Sequence, residues 1–102
     1  MASRVELQHK LEALLGSENV YFQPPETMKF NYPCVEYELA KKDVPHANDD
    51  VYQIHNRYTV TFIGLPADTD LIDRTLHEFQ YCAFDKRFIS ANMYHDVFTI
   101  YY

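Results

Sequence analysis

The nine residues YHDVFTIYY (94–102) alternate in polarity with a period of two. Successive strand side chains point to opposite faces of a sheet. Tyr94, Asp96, Phe98, Ile100 and Tyr102 therefore share one face, and His95, Val97, Thr99 and Tyr101 share the other. Such a pattern predicts a half-buried strand. It sits at the end of the stretch FDKRFISANMYHDVFTIYY, which opens with a mixed polar turn region. A final strand would ordinarily be a sheet edge that needs protection.

Upstream, residues 1–16 carry the punctuation of a short helix. Ser3 followed by Glu6 makes a capping box, Gly16 stands where a left-handed stop belongs, and Leu7, Leu11, Leu14 and Leu15 form one apolar stripe. Residues 19–63 read as strands and loops. NVYFQ (19–23) is strand-like and is halted by Pro24 and Pro25, whose rings remove backbone donors. In YPCVEYEL (32–39), Val35, Tyr37 and Leu39 face one way while Cys34, Glu36 and Glu38 face the other. The segment 40–50 has no periodicity and holds Pro45, Asn48, Asp49 and Asp50, which predicts an exposed loop. In VYQIHNRYTVTFI (51–63), Tyr58, Val60 and Phe62 oppose Arg57, Thr59, Thr61 and Ile63. A second helix is expected over 68–80, capped by Asp68, with Leu71, Ile72, Thr75, Leu76 and Phe79 on its apolar face. Residues 81–102 complete the chain as a hairpin.

Strand runs interrupted by two separated helices imply an α+β fold: a mostly antiparallel sheet of four to five strands flanked by two helices. With 102 residues the chain can bury one core, so 1–102 is read as a single domain.

Charge and composition exclude some functions. A net charge of −6 argues against a surface that grips nucleic-acid phosphates, although not against one that DNA slides past. Nine tyrosines and seven phenylalanines suit both strands and protein interfaces. Cys34 and Cys82 have no CxxC spacing, and no secretory signal or long apolar run is visible. Both cysteines are read as reduced, cytoplasmic and buried as small hydrophobes.

Catalytic and metal patterns are sparse. His9, His46, His55, His77 and His95 fall in no HxxxH, HExxH or HxH spacing, and two glycines cannot build a phosphate loop. His46 lies near Asp43, Asp49 and Asp50 in an acidic, turn-rich segment. The carboxylate pair Glu36/Glu38 projects from a strand face and Asp68/Asp70 suits a helix start. Lys86 and Arg87 beside Phe84 and Phe88 suit either a solvated hairpin rim or contact with an acidic partner. No cofactor, metal or membrane is expected.

The blocks VYFQPP (20–25), YPCVEYEL (32–39), NRYTVTFI (56–63) and the ending FDKRF…AN…HDVFTIYY together resemble the tail-terminator, or tail-completion, proteins of siphovirus-type bacteriophages. The terminal block carries most of the likeness. Phe84, Asp85 and Arg87 match an FDR-like turn interrupted by Lys86; residues 91–93 replace a DNL-like loop; His95, Val97, Thr99, Tyr101 and Tyr102 match an H-x-V-x-T-L-Y-Y ending. The resemblance implies a non-enzymatic virion protein, assembled in the host cytoplasm. It would form a homo-oligomeric, hexameric ring at the head-proximal end of the tail. Its expected partners are the tail tube protein and the head–tail connector or stopper, with DNA passing through unbound. Candidate interface or channel residues are Glu36, Glu38, Asp43, Asp49, Asp50, Lys86, Arg87, Tyr101 and Tyr102. Competing readings are a head–tail adaptor or stopper at the portal, which should be more barrel-like, and a small acidic regulatory binding module.

Overall fold

A computed structural model of the chain describes residues 3–43 and 55–102. Helix α1 (Arg4–Leu15) forms where the sequence punctuates it. The Glu6 N–H donates to Ser3 Oγ at 3.2 Å, and Gly16, at φ 78°, turns the chain so that the N–H groups of Gly16 and Ser17 both close on the Glu12 carbonyl. Leu7, Leu11 and Leu14 are its buried stripe.

Among the described residues the sheet has five strands: β1 (Val20–Phe22), β2 (Cys34–Asp43), β3 (His55–Ile63), β4 (Cys82–Ser90) and β5 (Met93–Tyr101). Their spatial order is β1-β2-β3-β5-β4. All neighbours pair antiparallel except β1 with β2, which pair parallel. The expected α+β class with a mostly antiparallel sheet and two helices is what the chain adopts. The final strand differs from expectation in its place. β5 lies between β3 and β4, so both of its sides are paired, and β4 forms the edge. β2 also runs further than the alternation suggested, to Asp43, with a register shift between Leu39 and Lys41.

Helix α2 (Leu71–Glu78) starts later than predicted. Asp68 does not cap it; Asp70 holds the cap position without a side-chain bond, and Thr69 Oγ1 accepts the Leu71 N–H at 3.2 Å. Leu71, Thr75 and Phe79 are buried as the spacing predicts, but Leu76 stays exposed. Thr75 is accommodated in the core because its hydroxyl donates to the Leu71 carbonyl at 2.7 Å.

The cross-strand register defines two very different faces. Val35, Tyr37, Tyr58, Val60, Phe62, Phe98 and Ile100 share one face and form a single core cluster with Leu7, Leu11, Leu14, Leu71 and Phe79. Both helices therefore cover the same side of the sheet. Among the described residues no helix covers the opposite side, the face that presents Glu36, Glu38, Thr59, Thr61, Thr99 and Tyr101.

Polar groups lock α1 onto the sheet. The Tyr37 hydroxyl accepts from Arg4 Nη1 at 2.9 Å and donates to Gln8 Oε1 at 2.5 Å; Gln8 Nε2 then donates to the Val20 carbonyl at 2.9 Å. Burial pushes the Tyr37 phenol above its ordinary pKa, with Arg4 partly opposing the shift.

Candidate functional site: the β4 edge and the open face of the sheet

Every sheet that does not close has two edges, each with unpaired backbone donors and acceptors. The β1 edge is protected. It is three residues long, is followed by Pro24 and Pro25, and has its Val20 carbonyl occupied by Gln8. The β4 edge is nine residues long and almost wholly solvent-exposed. Tyr101 donates its N–H to the Tyr81 carbonyl at 2.9 Å. Antiparallel alternation from that pair, carried through the register shift between Phe84 and Lys86, aims the backbone groups of Cys82, Phe84, Arg87 and Ile89 away from β5.

Apolar side chains are displayed on this edge beside its one bulge and Lys86: Phe84 is 37% exposed, Phe88 40% and Ile89 67%. The hairpin that carries them is a tight one. Ala91 and Asn92 lie at φ 52° and 64° between the paired Ser90 and Met93, the two-residue turn whose twist suits antiparallel strands. The FDR-like segment is thus no turn; Asp85 bulges within β4 and accepts from Thr99 Oγ1 at 2.7 Å.

The two neighbouring cations have opposite fates. Lys86 stands on the open face with its Nζ 5.4 Å from the centre of the Phe88 ring, and among the described residues no carboxylate pairs with it. Arg87 points to the helix-covered side and is neither a solvated rim charge nor available to a partner. Its Nε and Nη2 donate to Asp96 Oδ1 and Oδ2 at 2.5 and 3.2 Å, its Nη1 donates to the Ala67 carbonyl at 3.0 Å, and its guanidinium stacks over Tyr94 at 4.6 Å. Asp96 is fully buried. This bidentate bond raises the Arg87 pKa further, so the charge is permanent.

The other predicted interface residues spread across the molecule. Glu36 is half-buried and Glu38 exposed on the open face, near the β1 edge. Asp43 ends β2; His46, Asp49 and Asp50 lie outside the described residues. Tyr101 is half-buried on the open face. Tyr102 belongs to the helix side, edge-to-face with Phe79 at 5.9 Å and beneath Lys10 Nζ at 5.2 Å. The doubled tyrosine does place one ring on each face. Sequence reasoning missed the exposed Phe84 and Ile89 as interface residues and missed buried Asp96. The weak alternation of YCAFDKRF, with charges at its middle, was the available signal for an edge strand.

Cys34 is buried, and desolvation, helped by Glu36, pushes its thiol up to about 11; burial also raises Cys82. Both cysteines are free thiols. Among the described residues, no three His, Cys, Asp or Glu side chains converge as a metal site. His77 lines only a shallow groove between α1 and α2 with Ala13, Leu14, Arg74 and Glu78. What the geometry offers a partner is an open strand edge beside a helix-free sheet face, on which Glu38 is exposed, Thr59, Thr61 and Tyr101 are half-buried, and Cys34, Ile63 and Val97 are buried. Compared with known proteins, the chain matches no family model, and neither curated proteins nor solved structures give a match.

Proposed function

We propose that this chain is a structural subunit whose work is self-association rather than catalysis. Within that class, we assign it to the tail terminators of siphovirus-type phages: a ring on the head-proximal end of the tail tube that ends tube polymerisation and offers the joining surface to the head. The observation that carries the class is the β4 edge, nine residues of which seven are exposed, with Phe84, Phe88 and Ile89 reaching solvent. Monomeric proteins protect such edges, whereas assemblies use them as joints. Heterologous contacts between identical subunits close naturally into rings. The particular assignment rests on the terminal block 84–102 and its resemblance to the tail-terminator ending. A net charge of −6 suits a channel that lets DNA pass without holding it.

The test joins mass to morphology. The purified protein should assemble into a ring-sized oligomer by light scattering and should cap tail tubes in negative stain. A phage lacking it should make overlong, headless tails. Tails of normal length with leaking heads would move the protein to the stopper position at the portal. A strict monomer that never associates with tubes or heads would end the assembly reading.

A further inference from the structure

We propose that the subunit contact is a head-to-tail, charge-paired joint between copies of this chain, in which the Lys86 flank of one copy meets the Glu36/Glu38 flank of the next. The proposal rests on the self-assembly reading above and adds which surfaces meet and in what polarity.

On the open face Glu36 and Glu38 lie on β2 and Lys86 on β4, with Arg57 on β3 between them and the Asp85 carboxylate beside Lys86 held by Thr99. Lys86 lies in register with Val97, Val97 with Thr61, and Thr61 with Glu36, so one row carries the cation at the β4 edge and the carboxylate on β2, one strand in from Tyr21 on the β1 edge. Three strand spacings separate β2 from β4, about 14 Å, too far for them to pair within one subunit. Glu36 and Glu38 have no ion-pair or hydrogen-bond partner among the described residues, and neither does the Lys86 ammonium. Each flank also offers rings or aliphatic surface. Phe88, 40% exposed, accompanies Lys86 on the open face, while Ile89 lies at the same edge but on the helix side. On the acidic side Tyr32, 48% exposed, packs edge-on against Phe30 at 6.3 Å. With Asp85 already bonded to Thr99, the unpaired Lys86 and the unpaired Glu36 and Glu38 are opposite in sign, and each has aromatic surface beside it, as the two surfaces of a heterologous interface require.

A two-fold contact of β4 with β4 is the competing geometry, and charge disfavours it. Lys86 is the middle residue of Cys82–Ser90, so a centred antiparallel pairing sets two lysines opposite one another. The head-to-tail joint replaces that repulsion with attraction. It also places Glu36 and Glu38 between subunits instead of around the channel.

Charge exchange in the full-length chain tests this, with oligomer mass read by light scattering and native mass spectrometry at low salt. Lys86→Glu alone, and Glu36→Lys with Glu38→Lys, should each weaken assembly by about tenfold or more in dissociation constant, because attraction becomes repulsion at every joint. The triple exchange should restore assembly, and so should mixing the two defective proteins, whose flanks complement each other in alternation. Circular dichroism matching the unsubstituted protein confirms that the variants fold. Assembly unaffected by Lys86→Glu, or strengthened by it, overturns the proposal while leaving self-assembly intact. Failure of both the triple exchange and the mixture to restore assembly also overturns it. An unsubstituted chain that stays monomeric overturns both this joint and the reading beneath it.

Discussion

Removing the Arg87 guanidinium should be among the most damaging single changes to this fold, although the residue sits on a sheet edge. Asp96 is fully buried and both of its carboxylate oxygens are taken by Arg87. In Arg87→Ala the carboxylate keeps its burial and loses its counter-charge, a situation that costs roughly 3–5 kcal/mol. Arg87 retains 25% of its side-chain exposure, so water can partly replace it and the lower end, about 3 kcal/mol, applies. A domain of this size holds roughly 5–15 kcal/mol in all. The variant should therefore lose a large part of its stability, and its melting temperature should fall by more than about 10 °C. The measurement is urea and thermal unfolding followed by far-ultraviolet circular dichroism, since the chain has no Trp. The partner experiment is Arg87→Met with Asp96→Leu, which removes both charges and should recover most of the loss. A cost below about 1 kcal/mol for Arg87→Ala, in the range of an exposed ion pair, would refute the claim that this pair is a buried structural element.

Three further outcomes follow from the same structure. Tyr37→Phe deletes the hydroxyl that joins Arg4 to Gln8 and should cost about 1–2 kcal/mol in urea unfolding; an unchanged midpoint would mean that the network does not anchor α1. Ala91→Gly should raise stability by about 0.5–1 kcal/mol, because Ala91 lies at φ 52°, where an L side chain is strained; a lower unfolding midpoint would contradict the turn geometry. The Cys34 thiol, pushed up to about 11 from an ordinary 9.0, should resist alkylation in the native protein. Its folded-state pKa lies above the unfolded one, so its contribution to stability is intact below about pH 9 and is lost as pH rises through about 11. Labelling of Cys34 at neutral pH as fast as in the denatured chain would refute the burial argument.

Much of the fold was legible because its signals are local. Ser3, Glu6 and Gly16 are all the information α1 needs to start and stop, and each acts within one helical turn of its own position. Alternation in 32–39 and 56–63 assigned the two faces of each strand before any partner strand was known, since a strand's period is set by its own backbone, although Cys34 and Ile63 on the outer face are buried and Leu39 on the inner one is exposed. The late start of α2 was harder: Asp68 and Asp70 both have the chemistry of a cap, and neither makes a side-chain cap bond once Thr69 takes the Leu71 N–H.

By itself, then, the sequence determined the element types, most of their limits and most of the apolar side chains that turn inward, along with a net acidic, aromatic-rich character. Only the tertiary structure decided that β5 pairs on both sides, that β1 joins in parallel, and that β4 is left as the edge. It also decided that both helices cover one face, and that Lys86 and Arg87, adjacent in the chain, go to opposite sides, one to solvent and one to a buried aspartate. The reason is range. Periodicity and caps are settled among residues a few positions apart, whereas strand order and the partner of a charge depend on surfaces that meet only when distant segments pack. For that reason residues 94–102 announced a strand from their spacing alone, and only their pairing with β3 and β4 moved the exposed edge to the neighbouring strand.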